Sequence, residues 1–200
     1  MRNRNLSREK ALEEYLIYRK RVRELLDMAQ IARDIEQRKY EPRDSQGRGP
    51  ERFSEIIGNV LVGWFASLMD TGSGSALDVF DVWLALFPAR KNEIAETWDR
   101  VEPHVQLIWD YRSDVVCHAN KSVRRYIETH LRFNEKLGDI HAVMQAVADL
   151  AKELMEDERT VLPKLRDDIG PILKRLRPDL SDEQIEGLKD YFLQKERTAD

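Results

Sequence analysis

Residues 53–69 read FSEIIGNVLVGWFASLM, and their spacing decides the fold class. Phe53, Ile56, Ile57, Val60, Leu61, Trp64, Phe65, Leu68 and Met69 recur at i, i+3, i+4 and i+7, the period of one helix face. The positions between them are mostly small or polar. This is the most apolar run in the chain, yet Gly58, Asn59 and Gly63 interrupt it. It falls short of the ~18–20 apolar residues that a membrane span requires. It therefore predicts a buried core helix. Gly58 and Gly63 each cost about 1 kcal/mol against alanine inside a helix. A close helix crossing would explain them, and simple tolerance on a buried helix would do so equally.

Upstream of this run, Ser7 is placed to cap a long first helix. Its stripe is Leu12, Tyr15, Leu16, Val22, Leu25, Leu26, Ala29, Ala32 and Ile35, with Arg, Lys and Glu on the opposite face. Residues 42–50 hold Asp44, Ser45, Gly47, Gly49 and two prolines, which predicts a loop. Downstream, residues 70–75 (DTGSGS) predict a linker. They lack the Gly-Lys-Ser/Thr that a phosphate-binding loop needs. A short apolar helix follows through Val79, Phe80, Trp83, Leu84 and Phe87, stopped by Pro88. A longer helical pattern runs from Ile94 through Trp98, Val101, Val105, Ile108 and Trp109 to Val115 and Val116. Pro103 predicts a kink or a fresh start within it, because proline breaks a helix interior. Residues 120–137 mix charge with apolar positions and are ambiguous. Gly138-Asp139 predicts a C-cap followed by an N-cap, and a helix through Ile140, Val143, Met144, Val147, Leu150, Ala151 and Leu154. Pro163, Gly170-Pro171 and Pro178 then divide the chain into short helices, the last opened by the capping-box pattern Ser181 to Gln184.

The expected fold is thus all-α: an antiparallel, four-helix-type bundle over residues 1–157, with a C-terminal helical appendage over 158–200. Of 200 residues, 42% are hydrophobic, enough for a core, and 35% are charged, as solvated helix faces require. The single cysteine, Cys117, excludes a disulfide within the chain and fits a reducing, cytoplasmic setting. His104, His130 and His141 are singletons without metal-ligand spacing, so neither metal nor cofactor is expected. Trp64, Trp83, Trp98 and Trp109 lie on apolar stripes and are expected in the core. A net charge of −4 argues against a chain coated in basic surface for nucleic acid. It leaves room for one local basic patch: Arg112, Lys121, Arg124, Arg125 and Arg132 outnumber Asp114 and Glu128.

That patch surrounds residues 109–121, WDYRSDVVCHANK, which bring Arg112, Ser113, Asp114, His118, Asn120 and Lys121 together in sequence. Arg112 follows Ile108 by four and precedes Val115 by three, so it sits on the apolar stripe, where a charge requires a partner or a function. On an ideal helix Arg112 and His118 lie about 120° apart. Asp114 and His118, at i and i+4, share a face, and Asp114 could hold the imidazole in one tautomer. From the residues alone, two readings stand. In one, Arg112 pairs with Asp110 or Asp114 in a buried network. In the other, the set is catalytic.

Arg112, five residues, then His118, late in a four-helix bundle, resembles the R-x(4–6)-H motif of the HEPN domain. The ending VVCHANK is similar to the abortive-infection branch of that superfamily. The broad likeness spans about residues 10–157 and the motif about 112–121. The family often carries Asn or Asp directly after the arginine, where this chain has Ser113. The resemblance implies a metal-independent endoribonuclease of toxin or phage-defence type, acting as a homodimer whose two motifs meet in one cleft. Its partners would be RNA and a cognate regulatory protein, with no membrane. Histidine titrates near neutrality and can move protons, and arginine can fork onto phosphate. His118 would be the acid/base and Arg112 the phosphate clamp, with Ser113 and Asp114 in support. Asn120, Lys121, Arg124 and Arg125 would bind the RNA backbone. The alternative is a non-catalytic helical interaction or assembly module, antitoxin-like or structural.

Overall fold

A computed structural model describes residues 6–37, 50–69, 78–117, 122–162 and 164–193, and their side chains except at 31–37, 50–57, 117 and 159. Among the described residues the chain is helical and holds no strand. The helices are α1 (Arg8–Gln37), α2 (Pro50–Leu68), α3 (Val79–Leu86), α4 (Lys91–Tyr111), α5 (Val123–Glu135), α6 (Leu137–Val161), α7 (Leu165–Leu176) and α8 (Asp182–Leu193). The expected all-α bundle is what forms. The loop and linker expected at 42–49 and 70–75, and Pro163, lie outside the described residues.

Local chemistry sets several of the ends. Ser7 Oγ accepts from the Lys10 amide at 3.3 Å and opens α1. Asp78 accepts from the Asp81 amide at 3.0 Å and opens α3. Pro88 ends α3 and starts a 3-10 turn, Pro88–Arg90, that leads directly into α4. At α8 the capping box closes both ways: Ser181 N–H donates to Gln184 Oε1 at 2.8 Å, and Gln184 N–H to Ser181 Oγ at 3.2 Å.

Two local expectations are corrected and a third is narrowed. α4 is one helix through Pro103, with no fresh start there, and Ile94, Val101 and Ile108 are buried on either side of it. Tertiary burial of that stripe outweighs the loss of one backbone hydrogen bond. α7 likewise continues through Gly170-Pro171, holding Ile169, Ile172 and Leu173 in the core. The corner between α5 and α6 falls at Lys136, not at Gly138-Asp139. Lys136 adopts φ −107°, ψ 8°, and Gly138 lies inside the first turn of α6.

α1 packs on α2, α3 and α6, while α4 packs on α2, α3, α5 and α6. Arg90, just before α4, pairs with Glu153 and with Asp157 late in α6. At the other end, Tyr111 stacks on Phe133, just before α6 begins, with ring centroids 3.8 Å apart. The two helices therefore run antiparallel. Phe65, Phe80, Phe87, Leu86, Ile94, Ile108 and Ile140 are fully buried at the centre. α7 and α8 pack on each other and on α1, and Leu165, Ile169, Ile172, Leu173 and Ile185 join the same apolar cluster. A polar clamp holds that junction. Arg19 Nε and Nη2 donate to the two Glu158 oxygens at 2.6 and 2.9 Å, and Arg19 Nη1 donates to the Phe192 carbonyl at 2.8 Å. Tyr15 adds its hydroxyl to Glu158 at 2.7 Å. Burial, then the Glu158 charge and hydrogen bond, raise the Tyr15 phenol well above its ordinary pKa.

Among the described residues, no helix is long and apolar enough to cross a membrane.

Candidate functional site

The regular helix stops where the motif begins. Arg112–Cys117 continue α4 as a π-helical segment, in which backbone bonds skip to i+5. Such wide turns are uncommon and are frequently found at functional sites. Within this segment, Val115 and Val116 pack against the core cluster, while Asp114 beside them reaches out to α5. The ideal-helix geometry expected for residues 112–118 therefore does not hold over this segment. α2 meets the segment at Gly63, where an added Cβ would lie 3.9 Å from Val116 Cγ1, an ordinary van der Waals distance. Gly58 has open space around it, so a close crossing explains neither glycine.

Arg112 is half-buried, and its guanidinium lies 5.0 Å from the centre of the Trp109 ring. That is within cation–π range. Among the described residues it forms no ion pair, because the nearby acids are occupied from α5. Asp114, 11% exposed, accepts from Arg125 Nε at 2.7 Å and from the buried Thr129 hydroxyl at 3.1 Å, both on one carboxylate oxygen. Arg132 lies 4.0 Å from Asp110, whose carboxylate also accepts from Gln106 at 2.9 Å. The hydrogen bond and charge of Asp114 raise the Arg125 pKa, keeping it cationic. Neither pairing expected for Arg112, with Asp110 or with Asp114, is formed.

The structure thus brings Asp114 and Arg125 together at the contact between the π segment and α5, with Arg112 set on Trp109 of α4. Ser113 is half-buried. Arg124 lies one position on, exposed and paired with Glu128 at 2.7 Å on its own helix. His118, Asn120 and Lys121 lie outside the described residues. Below the segment, Tyr111 donates to Asn59 Oδ1 at 2.8 Å. His130 stacks between Tyr111 and Tyr126, with centroids 6.1 and 5.9 Å away, and its buried Nδ1 has no hydrogen-bond partner.

Two contributors were not singled out from the sequence. Trp109 was assigned to the core, yet it carries the Arg112 guanidinium. The i, i+3 spacing of Trp109 and Arg112 was the available signal. Thr129 anchors Asp114 from a segment whose pattern was ambiguous, and nothing local marks it. Among the described residues no group of three or more His, Cys, Asp or Glu could hold a metal ion. Chemically, the arrangement offers a guanidinium held on Trp109 and, on α5, the exposed arginines Arg124 and Arg125. No protein-family model matches the chain, and no curated protein or solved structure shows a significant match to it.

Proposed function

We propose that this chain is a metal-independent endoribonuclease of the HEPN-like, toxin or phage-defence kind, with Arg112 as phosphate clamp and His118 as acid/base. One observation carries the reading. Arg112 is a half-buried arginine without an acidic partner among the described residues, set over Trp109, while α5 occupies the acids around it. A guanidinium whose fork is not spent on carboxylates can accept a phosphate in both prongs. Asp114, neutralised by Arg125, does not oppose an anion as a bare carboxylate would. Arg124 stands exposed on α5, and its surface ion pair with Glu128, worth roughly 1 kcal/mol or less, can yield to a phosphate backbone while Arg125 stays on Asp114.

The chemistry needs no oxidant and no water. His118 takes the proton of an RNA 2′-hydroxyl, the 2′-oxygen bonds to phosphorus, and the bond to the 5′-oxygen breaks. The leaving oxygen receives the proton, and His118 ends as it began. Arg112 stabilises the extra charge on the phosphorane, where a positioned donor typically contributes about 10²–10³-fold. Asn120 and Lys121 would extend the RNA contact. This reading includes a homodimer in the cytoplasm and a cognate protein that silences it.

A second reading, a non-catalytic interaction or assembly module, is favoured by the exposed apolar side chains on α5. RNA cleavage in the presence of EDTA separates the two. Wild type is expected to cut, and folded Arg112→Ala and His118→Ala variants are expected not to. A folded wild type inert on tRNA, mRNA and total RNA would turn the reading to the interaction module.

A further inference from the structure

α5 is lightly committed to the core. Of its thirteen residues only Thr129 and Phe133 are buried. Phe133 is the one α5 side chain in the apolar cluster, whereas α8, of similar length, contributes Ile185, Leu188, Phe192 and Leu193. The other large aliphatic side chains of α5, Val123, Ile127 and Leu131, are exposed and add nothing to its attachment. A helix of this length is marginal in water by itself, so it depends on what it docks against.

Apart from the Tyr111 ring on Phe133, the attachment to α4 and the π segment is largely polar. Arg125 Nε and Thr129 Oγ1 both donate to Asp114 Oδ2, and Arg132 stands 4.0 Å from Asp110. Both arginines are exposed, and ion pairs of that kind hold weakly. Docking also carries a cost. The buried Nδ1 of His130 has no hydrogen-bond partner among the described residues, and undocking would return it to water. Lys136 alone separates α5 from α6, so one residue can serve as the hinge.

We infer that α5 is a latch that opens as a unit from the rest of the bundle, hinged at Lys136 and caught by Asp114. Openings of this kind are expected where one element buries little and its neighbours bury much. Closed, α5 neutralises Asp114 and leaves the π segment receptive to an anion at Arg112. Open, it leaves Asp114 as a bare carboxylate two residues from Arg112, where it opposes an anion. That consequence for Arg112 rests on the ribonuclease reading, and the opening itself does not.

The test is hydrogen exchange of the full chain in rising, sub-denaturing urea, read by mass spectrometry over residues 94–108, 123–135 and 140–154. The α5 amides are expected to be at least about 100-fold less protected than those of α4 and α6. Their exchange should depend little on urea, because undocking exposes little surface, while exchange in α4 and α6 accelerates steeply. Glu158→Ala, at the far end of α6, should speed exchange in α4 and α6 by about tenfold or more and leave α5 unchanged, because the Arg19 clamp stays closed when α5 opens alone. Asp114→Asn should speed α5 exchange about three- to tenfold. Equal protection of α5 and α6, or parallel urea dependence, would overturn the proposal. An α5 indifferent to Asp114→Asn would overturn the part given to Asp114. None of these readouts uses RNA, so a wild type that fails to cut bears on the ribonuclease reading and not on the latch.

Discussion

Two arginines, Arg19 and Arg112, sit on apolar helix stripes at different places in the bundle, and they are treated in opposite ways. Arg19 is 7% exposed, with its guanidinium spread over both Glu158 oxygens and the Phe192 carbonyl. Its charge is fully answered, and the cluster joins α1, α6 and α8. Arg112 is only half-buried, rests on the face of Trp109, and leaves Asp114 to Arg125. Burying a charge with its partners is a structural solution. Arg112, set on Trp109 and without an ion pair among the described residues, is not answered in that way. The local backbone agrees: α1 is a regular helix at Arg19, whereas Arg112 opens a π-helical segment.

The comparison predicts its own failures. Removing Glu158 should have the largest effect on stability. Glu158→Ala removes the carboxylate that Arg19 and Tyr15 share and should cost about 3–5 kcal/mol in chemical denaturation. A loss below about 1 kcal/mol would show that the clamp is not structural. Arg112→Ala should do the reverse. RNA cleavage should fall about 10²–10³-fold, while stability changes by no more than about 2 kcal/mol, the upper worth of a partly desolvated cation–π contact. A large drop in unfolding free energy would make Arg112 a second Arg19. Arg112→Lys, which keeps the charge but loses the fork, should recover only part of the activity.

Asp114 lies between the two regimes. Asp114→Ala should cost about 1–3 kcal/mol, because it leaves the buried Thr129 hydroxyl unpaired and frees Arg125. An unchanged unfolding midpoint would mean that the π segment does not depend on α5.

The smallest effect is in pH. The Tyr15 pKa is raised by burial and by Glu158, above an ordinary value of 10.0. Its stabilising share is therefore complete below about pH 10 and lost as pH rises beyond it, where the unfolded chain sheds a proton that the folded one retains. Tyr15→Phe should lose about 1 kcal/mol at neutral pH and show a shallower decline in alkali than wild type. Equal slopes would show that the clamp does not feel the phenol.

How much was legible in the sequence follows from the range of the interactions involved. Periodicity at 53–69 and the capping patterns at Ser7 and Ser181 are local, and they identified helices and their starts before any packing was known. At Gly170-Pro171 the local signal misled for the opposite reason. Pro103 and Pro171 carry a local penalty that burial of Val101, Ile108, Ile169 and Ile172 outweighs. The candidate site was legible as a list of residues but not as a geometry. A 3.6-residue period was assumed through residues 112–118, and the π segment breaks it.

The sequence by itself determined the all-helical class, the apolar faces that build the core, and the cluster of Arg112, Ser113 and Asp114 on the chain. These depend on residues within a few turns of one another. Only the tertiary structure decided which acid each arginine meets. Asp114 turns to Arg125 and Thr129, eleven and fifteen residues away, and Glu158 crosses the fold to Arg19 and Tyr15. Whether a charge is answered or left available depends on which helices the core brings side by side, and no local pattern of residues encodes that.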